Sequence, residues 1–407
     1  MQTIITKKPL TVEELRLSSL PVIIFGAGVV GEALFHACQR FGIRVECFCD
    51  NNINKDAKMM CGIPIIFSAY LKRKYMDAIF LISIADIQDI IANLHDLGFE
   101  KWETCQILEQ VELASLPTSS PVDFVDFTIS TCLACHKNST DPASLFLHSV
   151  DLIVTERCSL RCRDCSNLMQ YYQNPRDCDL EEMFVSIDLL CGAIDEINDF
   201  RVIGGEPLMN RDVHLVVRKL NPIAKIKRVV IYTNGTLIPR PEQMEDFANN
   251  KVLFIITDYG KISRNLKPLI ALLDQWGIPY FANPAVEWNA CSGLSSHDYS
   301  TEQLRQMFFG CCTKNLLTLS NSKLFHCPFL ANAARLRAIP DNSADYVELL
   351  PGTLPSKLRS QLEFFIRRAD FFPGCNYCDG RTWDGKAIPA GIQADRPLPY
   401  RRIEHKL

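Results

Sequence analysis

The run Cys158-Ser-Leu-Arg-Cys162-Arg-Asp-Cys165 brings three thiols into eight residues with C-x3-C-x2-C spacing. In a chain of 407 residues with 18 cysteines, random placement yields about 0.035 such triplets. Soft thiolates grouped in one loop read as a metal centre. A [4Fe–4S] cluster normally takes four cysteines. Three leave one iron open, and an open coordination position marks a catalytic metal site. The competing reading is structural zinc, for which His148 or Cys178 would be the fourth ligand.

A second group lies further on: Cys311-Cys312, Cys327, and Cys375-Asn-Tyr-Cys378 after Pro373-Gly374. Four thiolates from separate segments can close a fully ligated iron–sulfur cluster, with zinc again the rival. Adjacent side chains point apart, so one of Cys311 and Cys312 is spare. The working assignment makes Cys311 a ligand with Cys327, Cys375 and Cys378, and Cys312 the free thiol; Cys291 is a lesser candidate for either role. Cys38, Cys47, Cys49, Cys61 and Cys191 sit in apolar stretches and read as small buried hydrophobes. Cys132-Leu-Ala-Cys135-His136 has haem-attachment spacing. Nothing before it resembles an export signal, so these read as cysteines of a packed linker.

Composition narrows the setting. The chain is 47% hydrophobic and 22% charged with a net charge of −4 and no long basic run, which excludes a broad nucleic-acid footprint. No stretch approaches the length of a membrane span. The start, MQTIITKKPLTVEELRLSS, lacks the apolar core of a signal peptide, so a cytoplasmic, reducing setting with free thiols is expected.

Strands and helices must position these groups. Pro21-Val-Ile-Ile-Phe25 leads into Gly26-Ala-Gly28-Val-Val-Gly31, a helical pattern follows, and a second strand from Val45 ends at Asp50. That is the strand–turn–helix–strand context of a dinucleotide fingerprint. Gly26 would allow the tight turn, Gly28 close approach to phosphates, Gly31 helix packing, and Asp50 a ribose contact. After 150, strands alternate with helices. They end at the cysteine loop, at Gly204-Gly205-Glu206-Pro207, at Thr233-Asn234-Gly235-Thr236 and at Thr257-Asp258. The fold class expected is α/β: a Rossmann-like parallel sheet over 1–110, a connector over 111–147, a partial (β/α)6 TIM-like barrel over 148–300, and a cysteine-rich extension over 301–407.

The segments IIFGAGVVGEAL, FCDNN, GIPII and FLISIADIQDIIANLHDLGF resemble small nucleotide-sugar-binding Rossmann-like domains fused to enzymes of bacterial surface-polysaccharide assembly. RCSLRCRDCSN, then GGEP, then TNGT resembles the radical S-adenosylmethionine (SAM) superfamily over roughly 150–290. That resemblance implies iron at Cys158, Cys162 and Cys165, and SAM chelated to the open iron and cleaved to a 5′-deoxyadenosyl radical that abstracts hydrogen. It also implies that Gly204, Gly205 and Glu206 meet the methionyl amino group, that Thr233 and Asn234 lie at the cofactor, and that Thr257 or Asp258 holds the ribose. Asp164 stands where the family often has an aromatic residue. The C-terminal cysteines resemble a single-cluster "twitch" extension rather than the longer SPASM form, with Ser322 where that pattern has glycine.

Together these readings predict a radical SAM oxidoreductase or epimerase with a second [4Fe–4S] cluster, in which Cys312 is a candidate hydrogen-atom donor. The substrate expected is a nucleotide sugar or glycan intermediate, with a nucleotide in the first domain and an external donor such as flavodoxin or ferredoxin. The rivals are modification of a ribosomally made peptide, an NAD-dependent oxidoreductase with zinc sites, and a non-catalytic protein with structural clusters.

Overall fold

Val22–Phe25 (β1) is a run of four apolar residues, all buried, as expected of a strand covered on both faces. Alternation sends Val22 and Ile24 to one side, where Ala33, Leu34 and Ala37 of the helix Val29–Arg40 cover them. Ile23 and Phe25 go to the other, against Ile87, Ile90 and Leu94 of the helix Ile87–Asp96. The computed structural model describes residues 9–403 except Thr140, Pro142, Ala369, Trp383 and Asp384. It divides into two units, Met1–His148 and Ser149–Leu407.

In the first unit β1 is joined by β2 (Val45–Asp50), β3 (Met59–Met60), β4 (Ile63–Phe67), β5 (Ile79–Ile82) and β6 (Trp102–Glu103). The order is β3-β4-β2-β1-β5-β6. All neighbours are parallel except the β3–β4 edge pair. Strand order therefore reverses between β1 and β5, where a crevice opens at the carboxyl ends in sheets of this kind. Gly26 turns there with φ of +113°. A Cβ on Gly31 would stand 2.0 Å from the Gly26 carbonyl oxygen, so helix and turn touch backbone to backbone. Gly31→Ala should cost about 3 kcal/mol of stability, read by denaturant unfolding.

The segment 111–147, expected as a connector, contains the 18-residue helix Val122–Ser139. Its Val125, Ile129 and Cys132 belong to the first unit's core. Their spacing is a helical stripe, hidden in the sequence by polar flanks. The first unit accordingly ends at His148 rather than near 110.

The second unit is built on β7 (Phe146–Ile153), β8 (Glu196–Ile203), β9 (Ile226–Thr233), β10 (Val252–Asp258), β11 (Tyr280–Pro284), β12 (Glu287–Asn289), β13 (Leu317–Ser320), β14 (Lys323–Phe325), β15 (Tyr346–Glu348) and β16 (Ala387–Pro389). Its main sheet runs β11-β10-β9-β8-β7-β13-β14-β15. From β8 to β11 the pairs are parallel, with helices between. The strand after β11 that joins this sheet does not extend it beyond β11. It is β13, which pairs parallel with β7 on the far side and then turns back as an antiparallel meander. Residue 300 is thus no boundary of the fold. The β13–β14 hairpin turns through Asn321 and Ser322, both at positive φ (49° and 54°), the backbone a two-residue turn of this hand needs. Ser322 holds this left-handed position while its Oγ donates to Glu182 Oε1 at 3.0 Å. Separately, β12 and β16 pair antiparallel. Among the described residues no helix is long and apolar enough to cross a membrane.

Candidate functional site

The cysteine loop follows β7, and the next two strand ends grip its root. Gly205 N–H donates to Thr155 O at 2.9 Å, and Glu206 N–H to Arg157 O at 2.8 Å. A Cβ on Gly204 would lie 2.3 Å from Thr155 O, and one on Gly205 2.2 Å from Arg157 O. Both glycines are therefore required for backbone docking of GGEP on the loop.

Glu206 is fully buried. Its carboxyl accepts from Thr233 Oγ1 (2.8 Å), Asn234 N (2.8 Å) and Leu208 N (3.2 Å). Burial pushes its pKa up to about 7, against the pull of those donors. Asn234 reaches the loop as well, its Nδ2 lying 3.1 Å from Ser159 Oγ and 3.7 Å from Cys158 Sγ. Cys158, Glu206, Thr233 and Asn234 thus form one connected cluster. Thr257 and Asp258 end β10 beside it. Ser263 Oγ bridges Asn234 O (2.7 Å) and Thr257 O (3.4 Å), while Asp258 Oδ1 takes the Gly260 N–H (2.7 Å).

Burial raises all three loop thiols, Cys162 to about 11, and their mutual repulsion adds to it. Three thiols in such a pocket ionise together only with a compensating cation, so the donor set fits an iron–sulfur cluster. A single zinc ion holds its thiolates about 3.8 Å apart. Among the described residues, the groups of three ligand atoms all within 4.8 Å of one another lie elsewhere. The proposed fourth zinc ligands are engaged otherwise: His148 faces Asp86 at 3.4 Å, and Cys178 lies in the field of Arg335 and Glu156.

Two neighbours of the loop carried no sequence signal. Tyr259 is raised by burial and by the nearby charges of Cys162, Cys165 and Cys158. A C-terminal segment pairs with the loop: Arg163 N–H to Ile392 O and Ala394 N–H to Arg161 O, both 2.7 Å, and Gln393 Nε2 to Cys162 Sγ at 3.2 Å. A Cβ on Gly391 would stand 2.8 Å from Tyr259 Cδ1, so that segment also packs on the tyrosine.

Cys311, Cys327, Cys375 and Cys378 line one cavity, together with His326 and Phe372. Cys312 is exposed and off that lining; its N–H donates to Arg381 O at 2.8 Å. Of the adjacent pair, Cys311 thus shares a cavity with the three distant cysteines and Cys312 does not. Burial raises Cys375 and Cys378 to about 12 and lowers His326 to about 4. Arg381, 4% exposed, extends its Nη2 to Ser166 O beside Cys165, while its Nε is buried without a hydrogen-bond partner. The guanidinium lies in the field of Cys291, Cys378, Cys327 and Cys311 and makes no carboxylate ion pair among the described residues.

In the first unit, Gly26, Gly28, Gly31 and Asp50 come together at the end of β1. Asp50 is engaged, however. Its Oδ2 accepts from Ala27 N (3.0 Å) and Lys55 Nζ (2.8 Å), and Lys55 Nζ also donates to Ala27 O (3.0 Å). The aspartate therefore holds the glycine turn through a lysine that the fingerprint does not contain. A Cβ on Gly28 would meet nothing within 4 Å.

The description "Radical SAM superfamily" matches residues 152–258. A GTP 3′,8-cyclase of Clostridium acetobutylicum is 35% identical over 89 residues, which is 21% of this chain and 27% of that protein. One from Sulfurovum sp. is 31% identical over 121 residues, 29% of this chain and 34% of that protein. The chain thus spans about a third or less of the length of these relatives. Among solved structures, BtrN in complex with AdoMet and 2-DOIA aligns with 62% of this chain and 97% of its own, at 15% identity and a TM-score of 0.35. Native anSMEcpe with bound AdoMet aligns with 53% and 82%, at 14% identity and the same score. Residues 152–258 thus match the radical SAM superfamily, and that match supports a [4Fe–4S] cluster and S-adenosylmethionine as cofactors.

Proposed function

We propose that this chain is a radical SAM oxidoreductase acting on a small molecule, a nucleotide sugar or glycan-linked intermediate, with a second iron–sulfur cluster at Cys311, Cys327, Cys375 and Cys378. The observation that carries the second cluster is Arg381. A buried, unpaired guanidinium costs several kcal/mol unless an anionic group compensates it. Here the groups around it are thiols lining a cavity that also holds a neutral histidine. Ionised by iron, those thiols supply the missing charge.

When bound, the two cofactor groups supply reductive cleavage of SAM, hydrogen-atom abstraction from a substrate carbon, and uptake of the electron released by the oxidised substrate. The chain's own residues do the positioning. Cys158, Cys162 and Cys165 hold iron. Glu206, with Thr233 and Asn234 fixing its carboxyl, accepts the methionyl ammonium, and Thr257 or Asp258 holds the ribose. Tyr259 and the segment around Gln393 close the loop against water, which protects a reactive radical.

A nucleotide-bearing substrate is supported by the glycine turn at the end of β1, where Gly28 leaves room for a phosphate at a helix N-terminus. The curated relatives, named for a reaction of GTP, point the same way. Flavodoxin or ferredoxin would supply the electron. Cys312, exposed and outside the cavity, is the thiol that would make the enzyme an epimerase. Turnover in deuterium oxide decides between the branches. A two-electron-oxidised product without solvent deuterium supports oxidation, whereas an epimer carrying deuterium at the attacked carbon overturns it in favour of Cys312.

Glu206 gives this reading a pH dependence. Its folded pKa is raised to about 7 from 4.5, so it keeps its proton below that value and ionises above it. The carboxylate is the better acceptor for the methionyl amino group, so SAM affinity should rise, by up to about tenfold, from pH 6 to pH 8. Glu206→Gln should bind weakly at both pH values, measured by equilibrium dialysis. The linkage sign for the SAM-free fold is the reverse: stability present below pH 4.5 is lost as pH rises through 7.

A further inference from the structure

The proposed chemistry leaves Cys132-Leu-Ala-Cys135-His136 unused. Haem attachment would need accessible thiols, and Cys132 is 1% exposed with His136 wholly buried. On the helix Val122–Ser139, Cys132 and His136 are four residues apart and share a face. Cys105, itself buried and two residues beyond β6, meets them there. Cys105 Sγ lies 3.5 Å from Cys132 Sγ and 3.3 Å from His136 Nδ1, and Cys132 Sγ lies 3.5 Å from His136 Nε2. One ligand atom from each residue falls within 4.8 Å of the others.

We propose that Cys105, Cys132 and His136 form a binding site for one thiophilic divalent cation, zinc above all, at the carboxyl ends of β5 and β6. A tetrahedral zinc ion with ordinary bond lengths sets its sulfurs about 3.8 Å apart and sulfur to nitrogen about 3.5 Å. The Cys105–Cys132 sulfur edge of 3.5 Å and the Cys105 Sγ–His136 Nδ1 edge of 3.3 Å depart from those by only a few tenths of an ångström, and the third edge lies within 4.8 Å. His136 Nε2 stands 2.8 Å from Ile84 O. Donation there fixes the tautomer that leaves Nδ1 as the lone pair on the Cys105 side, as outer hydrogen bonds do for metal-binding histidines. In the metal-free chain the Cys105 N–H donates to that same lone pair at 3.2 Å, a bond that the cation would replace.

Charge argues the same way. Two thiolates, a neutral imidazole and a dication sum to zero, which a fully buried site tolerates. A cation would let both thiols ionise. Three protein ligands leave one coordination position, for which water is the ordinary occupant. The site would fasten the helix to the loops after β5 and β6, with no part in the reaction of the second unit.

The test uses the full chain, reconstituted anaerobically with iron and sulfide, desalted in EDTA and analysed for metals. About one zinc per chain is expected. Cys105→Ser and Cys132→Ser should each lose it with iron per chain unchanged. Cobalt added in place of zinc to the unaltered chain should give a thiolate-to-cobalt absorption band, a readout that does not depend on any variant folding. No zinc together with no cobalt band overturns the proposal. So does zinc that persists in both variants, or Cys105 and Cys132 recovered from the unaltered chain as a disulfide-linked pair.

Discussion

Changing Cys158, Cys162 and Cys165 together to Ala should lower iron from about eight to about four per chain and abolish 5′-deoxyadenosine formation under strong reductant. The large effect follows from geometry. The three thiols are at least half-buried and raised by desolvation, with repulsion from the neighbouring loop thiols adding to it at Cys158 and Cys162, and the loop is gripped by GGEP on one side and by Gln393 on the other. Removing the ligands leaves the β7–β10 strand ends intact, so the loss should be of metal and cleavage, with circular dichroism unchanged. Four irons in the unaltered chain, falling to none, would leave the first centre standing and sink the second. Zinc without iron, and no deoxyadenosine, would return the argument to the glycine turn of the first unit.

The second large effect separates a cavity-lining cysteine from an exposed one. Cys327→Ala should also take iron from about eight to about four, keep SAM cleavage, and stop formation of the oxidised product. Cys312→Ala should keep all the iron. The physical difference is placement. Cys327 lines the cavity with Cys311, Cys375 and Cys378, while Cys312 faces outward. Iron analysis with substrate-coupled and uncoupled deoxyadenosine assays reads both variants. If Cys312→Ala loses iron and Cys327→Ala keeps it, the ligand assignment is wrong.

Local spacing made much of the centre legible. Three cysteines in one loop, and polar residues just past apolar runs, are short-range patterns, and the strands β7 to β10 end near the positions those patterns mark. The glycine turn was equally readable, because Gly26 and Gly31 meet within one strand–helix unit. Where partners came from distant segments the pattern failed. Asp50 stands where a ribose contact is expected, but the spacing gave no sign that Lys55 and the Ala27 amide also bond to it. The helix Val122–Ser139 looked like linker because its three-residue apolar stripe is outnumbered by Ser, Thr and Asp around it.

The sequence by itself determined the three-cysteine loop, the alternation of strands and helices, and the glycine turn, since each rests on residues close along the chain. Only the tertiary structure decided that β13 joins the sheet beside β7, that Cys311 rather than Cys312 lines a cavity with the distant cysteines, and that the Arg381 Nε is buried near them without a hydrogen-bond partner among the described residues. It likewise brought Cys105 to Cys132 and His136. These are long-range contacts set by packing and burial, and neither strand register nor the direction of a buried side chain can be read from local spacing.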